Sequence, residues 1–385
     1  MLRASTGQHV TSVVGGETVR AFVPDPLPPR PALQPDDGLV HQLERANVAL
    51  GRLDGVSAAL PDTRLFLYSY VRKEAVLSSQ IEGTQSSLSD LMLFELDEVP
   101  GVPFDDVVEV SNYVAAMEHG LARIRGGMPL SNRLIREMHE RLLARGRGAG
   151  KAAGEFRRGQ NWIGGSRPGD ATFVPPPHTH VEECMSALEK FLHDDPVRTP
   201  ALLKSALAHV QFETIHPFLD GNGRLGRLLI TMLLCVEGVL REPLLYLSLY
   251  FKRNRAEYYE RLGRVRADGD WEEWVRFFAR GIEETANEAF AVAQRLRALA
   301  AADRARVQGS GRIAGSALRV HEALQARPLA TIASAAKATG LSVPAATAAF
   351  AALRELGIVR EVTGKKRGRV FAYGGYLEAL QGEDG

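Results

Sequence analysis

Residues 216–227 read HPFLDGNGRLGR, and within this stretch stand a base, a carboxylate, a glycine-rich turn and two guanidinium groups. Pro217 disfavours a right-handed helical backbone at His216, so the imidazole is expected to leave its segment in an extended turn beside Asp220 and the loop Gly221, Asn222, Gly223. A helix follows. Leu225, Leu228, Leu229, Met232 and Leu233 occupy the i, i+3, i+4, i+7, i+8 positions of one buried face, and Gly238 supplies a stop. Arg224 and Arg227 are neighbours on another side of that helix, just inside an N-terminus whose unpaired N–H groups and dipole favour an anion. The stretch is an anion site with a base attached.

Outward from it, helical spacing dominates from about 37 to 295 with no strand–helix–strand alternation, so the fold class is mostly α, a helical bundle. The first 36 or so residues carry Pro24, Pro26, Pro28, Pro29, Pro31 and Pro35 and read as an extended arm over the body. Residues 308–315, QGSGRIAG, read as a linker. Beyond it, residues 331–340 form one short helix, and Ser342 caps a second with Val343, Phe350, Leu353 and Leu356 on one face. Residues 358–373 then alternate like two strands around a basic turn at 364–368. That order resembles a winged helix, an α+β module.

A chain of 385 residues with 45% hydrophobic content can bury a sizeable core in two or three domains. Its formal charge of +1 is too small for bulk attraction to nucleic acid or acidic membranes. Cys184 and Cys235 lie in apolar helical contexts and read as core residues of a reducing compartment rather than a disulfide or metal pair. The start, MLRASTGQHV, lacks an apolar signal core, and the apolar stretches 228–236 and 243–251 are too short to span a bilayer. A cytoplasmic location without a membrane partner is expected.

The motif resembles the signature of the Fic (filamentation-induced) family, HxFx(D/E)GNGRxxR, with His216, Phe218, Asp220, Gly221, Asn222, Gly223, Arg224 and Arg227 at its specified positions. The resemblance implies a Fic-type bundle with a β-hairpin flap. It also implies that His216 deprotonates a Ser, Thr or Tyr hydroxyl of a target protein, or of the chain itself. That hydroxyl attacks the α-phosphate of ATP, leaving AMP on the target. Elementary chemistry agrees, since an imidazole with an unperturbed pKa of ~6.5 suits a general base. A carboxylate such as Asp220 is a usual anchor for Mg²⁺ on phosphates, and arginine forks hold phosphate at two points. Kinases of the related Doc type carry lysine near the position of Gly223, so glycine favours nucleotidyl over phosphoryl transfer. Donors of UMP, GMP or phosphocholine stay open.

Residues 78–83, SSQIEG, resemble the family's inhibitory motif (S/T)xxxE(G/N), with Ser78, Glu82 and Gly83 at its specified positions. The resemblance implies that Glu82 pairs with Arg227 and keeps ATP from a productive pose. A charge pair at ~4 Å is worth ~4 kcal/mol at an effective dielectric of ~20, whereas a hundredfold loss of rate needs only ~2.7 kcal/mol. A partner or a change of oligomeric state, such as a homodimer, would release it.

Residues 154–177, GEFRRGQNWIGGSRPGDATFVPPP, are long for a connector and resemble the flap over the catalytic histidine, where a target segment adds as a strand. Asn254 and Tyr258 match the family segment lining the adenine pocket, an amide for the base edge and a ring for its face. His209 reads as structural. The expected division is an N-terminal arm and inhibitory-helix region at 1–115, a Fic core at 116–300 and the winged-helix-like tail at 301–385. In the tail, Lys365, Lys366, Arg367 and Arg369 suit phosphates of DNA. Thr347 and Arg354 alone provide polar readers on an alanine-rich helix, and protein docking or dimer support fits the module equally. Two other activities use the same residues. One is removal of AMP from a target, with Glu82 orienting water, and the other is DNA regulation by a nucleotide-sensing core.

Overall fold

The computed structural model describes residues 6–14, 16–59, 64–96 and 101–381. The first five residues of the expected arm and the end of the tail beyond 381 lie outside the described residues. The arm begins as an antiparallel hairpin of β1 (Gly7–Val14) and β2 (Glu17–Pro24), with Gly7 opposite Pro24 and Val14 opposite Glu17. This corrects the expectation of a wholly extended arm. The prolines start only at Pro24, and upstream of them β-branched residues such as Val10, Thr11, Thr18 and Val19 favour pairing. Residues 25–36 are irregular, with Leu27 buried against the body.

The body is a bundle of α1 (Asp37–Ala59), α2 (Arg64–Ile81), α3 (Leu88–Phe94), α4 (Phe104–Arg125), α5 (Asn132–Leu142), α6 (His178–Leu192), α7 (Ala201–Ile215), α8 (Asn222–Val236), α9 (Ser248–Arg253), α10 (Arg255–Asp268) and α11 (Trp271–Gln308). Ser87 and Ser131 cap α3 and α5 through their side chains. At the centre, α7 is buried on every side from Lys204 to Ile215, the pattern of a helix enclosed by others. Its one lysine, Lys204, is tied to Asp194 and Glu237 at 2.8 and 2.5 Å. The adjacent α8 buries its leucine face as the sequence spacing requires, ends at Val236 and is followed by Gly238 at φ +70°.

The 38-residue α11 runs on through position 300 and carries the tail. The tail comprises α12 (Ala314–Ala326), β3 (Leu329–Thr331), α13 (Ile332–Thr339), α14 (Val343–Glu355), β4 (Val359–Glu361), β5 (Val370–Tyr373) and α15 (Gly374–Gln381), with an antiparallel sheet ordered β3-β5-β4. Thr331 and Ser342 cap α13 and α14, and Gly340 closes α13 at φ +67°. Phe350 and Leu353 are buried, but Val343 is 58% exposed. It sits in the first turn of α14, before the helix reaches the core, which corrects its placement on the packed face. One hydrophobic cluster runs from the bundle into the tail through Leu296, Val307, Ala317 and Tyr376. The tail also rests on α2, where Lys73 donates to the Leu380 carbonyl at 3.0 Å.

Both thiols are free, and burial pushes Cys184 up to about 11 and Cys235 up to about 12, leaving them as protonated packing groups. No helix among the described residues is long and apolar enough to cross a membrane.

Candidate active site

His216 is the residue at which α7 stops. Its N–H still donates to Phe212 O at 2.9 Å, but its backbone turns left-handed at φ 49° and ψ 59°. The expected extended turn is thereby corrected. With proline next, the right-handed region is disfavoured, and the left-handed alternative keeps the helical hydrogen bond while reversing the chain. The residue retains part of its surface, whereas its Nδ1 is buried with no hydrogen-bond partner. Burial and the charges of Arg266 and Arg157 push the imidazole down to about 3, so at neutral pH it is uncharged, with a lone pair available for a proton.

The loop after it is tied from within. Asn222 closes the turn through both ends of its amide, Oδ1 accepting from Phe218 N at 2.9 Å and Nδ2 donating to Phe218 O at 2.8 Å. The His139 ring stacks on Phe218 with centroids 3.7 Å apart. Its Nδ1 accepts from Gly154 N at 2.9 Å, so the proton resides on Nε2, which donates to Asp220 O at 3.0 Å. Burial pushes this imidazole down to about 4, fixing that neutral tautomer. Gly221 turns at φ +76°, where a side chain would strain the backbone, and α8 begins.

At the mouth of α8 the Asp220 side chain is 41% exposed, with Oδ1 accepting from Gly221 N at 2.6 Å and facing Arg224 at 3.5 Å. Arg224 is buried and also reaches Glu109 at 3.2 Å. Glu109 shares Arg147 with Asp106, each at 2.6 Å. Asp106 in turn accepts from Gln85 N at 2.8 Å, so this relay of charges joins the turn after α2 to the α8 N-terminus.

Arg227 is engaged through two of its three nitrogens. Its Nε donates to Ser78 Oγ at 2.9 Å, and its Nη2 donates to Ser78 O at 2.9 Å and to Glu82 Oε1 at 2.7 Å. Glu82 follows the last turn of α2, and Gly83 at φ +101° turns the chain away. Burial works to raise the Glu82 carboxyl, but the Arg227 charge and hydrogen bond, with Arg224 and His216 behind them, outweigh it and hold it below the usual carboxylate range. A Cβ placed on Gly223 would overlap Glu82 Oε1 and stand 3.1 Å from Arg227 Nη1. The glutamate thus lies on the first turn of α8, where helix N–H groups lack intrahelical partners. One turn before Ser78, the buried Glu74 accepts from Ser248 Oγ and N at 2.5 and 3.2 Å and locks α2 to α9.

The flap is shorter than a hairpin. Within residues 154–177 the strands meet only at Ile163 and Phe173, which exchange backbone hydrogen bonds of 2.8 and 3.1 Å. The N-terminal hairpin lies alongside, with Phe22 N donating to Val174 O at 2.9 Å, while Glu17 binds Arg167 at 3.0 Å and Gly169 N at 2.8 Å. Arg266, from α10, stacks over Phe173 at 4.1 Å and donates to Thr214 Oγ1 at 3.1 Å.

The two residues expected to line an adenine pocket are not brought together as a wall. Tyr258 is 1% exposed, stacks on Phe251 with centroids 4.5 Å apart, and shares a 2.8 Å hydrogen bond with His209 Nε2. Its ring is core and presents no free face, because its helical spacing aims it at the aromatic cluster around Trp274. Asn254 caps the junction of α9 and α10, its amide donating to Tyr250 O at 3.0 Å. The neighbouring Tyr259 is 44% exposed and feels the charges of Glu82 and Arg227. His209 is structural, fully enclosed and pushed down to about 3 by burial.

Sequence spacing gave no sign of His139, Glu109, Arg157 or Arg266. Their partners lie far along the chain, and the one local hint was GEFRR at the root of the flap.

Among the described residues no three His, Cys, Asp or Glu side chains gather as a metal cage. Asp220 nevertheless fits Mg²⁺, which takes one or two carboxylates and completes its shell with phosphate and water; its carboxylate is exposed at the helix mouth.

Fold and site together define a helical protein that sets a histidine beside a helix N-terminus lined by two arginines. Two family models match the chain: the Fic/DOC family N-terminal model over residues 40–122 and the Fic/DOC family model over residues 129–234. The chain belongs to the Fic/DOC family. It is 30% identical over 253 residues to the protein adenylyltransferase Fic of Drosophila ananassae, covering 65% of this chain and 47% of that protein. It is 32% identical over 239 residues to the protein adenylyltransferase Fic of Aedes aegypti, covering 59% and 44%. The chain therefore spans about half the length of these curated relatives. In fold it resembles a Fic family protein from Desulfovibrio desulfuricans G20, with a TM-score of 0.57, 20% identity, and coverage of 89% of this chain and 98% of that one. It also resembles Fic-1 from C. elegans, with a TM-score of 0.52, 24% identity, and coverage of 66% and 73%.

Proposed function

We propose that the protein is an adenylyltransferase that moves AMP from ATP to a hydroxyl of a target protein and that Glu82 holds it in check. The observation that carries this reading is the Glu82 carboxylate lying on Gly223 and bound to Arg227, because an anion already occupies the place where a helix N-terminus receives phosphate. In the reaction, the target oxygen bonds to the α-phosphorus and gives its proton to His216. The bond from the α-phosphorus to the oxygen bridging to the β-phosphate breaks, and pyrophosphate departs with that oxygen. His216, uncharged at neutral pH, carries a lone pair that can take this proton. Arg224, Arg227 and the first-turn N–H groups of α8 suit the polyphosphate. Mg²⁺ on Asp220 would supply charge neutralisation of the phosphates when bound.

With Glu82 in place, Arg227 has two of its three nitrogens committed to α2 and its turn. Release requires movement of the end of α2, and the tail packs on that helix at Lys73. The tail carries an exposed Lys365, Lys366, Arg367 turn, which favours phosphate contact by a winged helix. The alanine-rich exposed face of α14 offers few groups for base readout.

The test is incubation of Glu82→Gly protein with Mg²⁺ and each nucleoside triphosphate in turn, alone and with cell lysate. Mass spectrometry then reads which nucleotide is transferred. No transfer from ATP in any arm would defeat the proposal.

A further inference from the structure

We infer that Arg157 is a positioning residue for the proposed reaction: its buried guanidinium fastens the left-handed turn at His216 to the root of the flap and so sets the aim of the imidazole. This rests on the reading of His216 as the base.

Arg157 is 2% exposed, and every hydrogen bond of its side chain goes to a backbone carbonyl. Nε donates to His216 O at 2.9 Å, Nη1 to Gly159 O at 3.0 Å, and Nη2 to Pro176 O at 2.5 Å and Ile215 O at 3.4 Å. Its own N–H donates to Pro217 O at 2.9 Å. Among the described residues no carboxylate stands within ion-pair distance of it, and burial pushes its guanidinium down to about 10. A buried cation without a counter-ion is costly, and an apolar side chain would fill the same space without that cost. What the guanidinium alone provides is a rigid planar fork, whose prongs grip residues 215 and 216 on one side and 159 and 176 on the other.

The catalytic turn needs such a grip. His216 holds an unfavourable left-handed backbone, and its ring has no hydrogen bond at Nδ1 to orient it. The polar contact that bears on the ring comes from the Glu213 backbone, so the direction of the imidazole follows from the backbone of this turn, which Arg157 binds at carbonyls 215 and 216 through its side chain and at 217 through its own N–H. The same cation faces the ring together with Arg266, opposed by Glu82 and the Glu213 backbone, and so favours the neutral base.

The experiment compares Arg157→Lys and Arg157→Met in Glu82→Gly protein. Lysine keeps the charge but not the fork, and methionine removes both. The expected result for Arg157→Lys is a fall in kcat of about tenfold to a hundredfold, as misplacement of a reacting group causes, with KM and calorimetric affinity for ATP nearly unchanged. Arg157→Met adds a shift of the acid limb of the kcat profile to higher pH. Amide exchange at Ile215 and His216 rises in both variants, a readout that needs no turnover. Failure of the Glu82→Gly parent to transfer AMP would strike the proposed function and leave the exchange result to decide the role of Arg157. Unchanged kcat and unchanged exchange in Arg157→Lys would overturn the inference, as would parallel loss of ATP affinity or of folded protein in both variants.

Discussion

Arg227 Nη2 lies 2.7 Å from Glu82 Oε1, joining residues 145 positions apart, and the same nitrogen also holds the Ser78 carbonyl at 2.9 Å. One guanidinium therefore binds both the last turn of α2 and the turn that follows it. Because the arginine is 2% exposed while the Glu82 side chain is 38% exposed, solvent screens the pair from the glutamate side only. The pair is enclosed at the arginine and open at the glutamate.

Ser78→Ala removes the hydroxyl that accepts from Arg227 Nε. Loss of one charge-assisted hydrogen bond corresponds to ~1.5–3 kcal/mol, part of which is shared with the nucleotide-bound state. AMP transfer by Ser78→Ala should rise several-fold over wild type yet stay below Glu82→Gly, as read by incorporation of label from α-labelled ATP. Equal rates for wild type and Ser78→Ala would show that Ser78 has no part in the clamp.

Gly223→Ala inserts a methyl group where Glu82 Oε1 lies. In wild type it should lower the melting temperature by several degrees, and in Glu82→Gly protein the same change should cost much less. The difference is a coupling energy between neighbours of ~1–3 kcal/mol. Identical losses in the two backgrounds would place the glutamate away from Gly223.

Glu213 is buried beneath the site with Oε1 unpartnered, and burial pushes its carboxyl up to about 7. Its folded pKa is raised, so the native state binds the extra proton between the ordinary carboxylate range and about 7, and stability is lost as pH rises through that window. Glu213→Gln keeps the shape without the ionisation. Its stability should exceed that of wild type by a margin that grows from about pH 5 to pH 7 and then levels, reaching ~1 kcal/mol or more. A margin independent of pH would mean that the carboxyl stays charged.

Much of this site was legible because its information is local. The spacing of HPFLDGNGRLGR placed the helix start, the buried leucine face and both arginines, whereas Glu82, 145 positions from Arg227, was pointed to only by the likeness of SSQIEG to the family's inhibitory motif. What could not be read depends on contacts across the fold. His139 and Arg157 act on residues 81 and 59 positions away, and no periodicity encodes such pairings. Tyr258 shows the reverse error, since an aromatic at helical spacing serves a core and a pocket equally until neighbouring helices are placed. The hairpin at Gly7–Val14 and Glu17–Pro24 was hidden by the prolines that follow it. At His216 the proline correctly excluded helix but left two other backbone regions, and the chain takes the left-handed one.

The basic turn of the tail predicts nucleic-acid affinity governed by salt. Replacing Lys365 and Lys366 together should reduce the slope of log affinity against log salt by about 2 for duplex DNA. Binding at low salt that ignores both substitutions would remove DNA as the partner of this module.

The most direct measurement is the intact mass of a target-loaded reaction run with ATP and Mg²⁺ by wild type, Glu82→Gly and Glu82→Gly/His216→Ala protein. AMP adducts should be scarce with wild type, abundant with Glu82→Gly and absent from the double variant. Adducts that persist without His216, or equal yields from wild type and Glu82→Gly, would contradict a histidine base held in check by a glutamate.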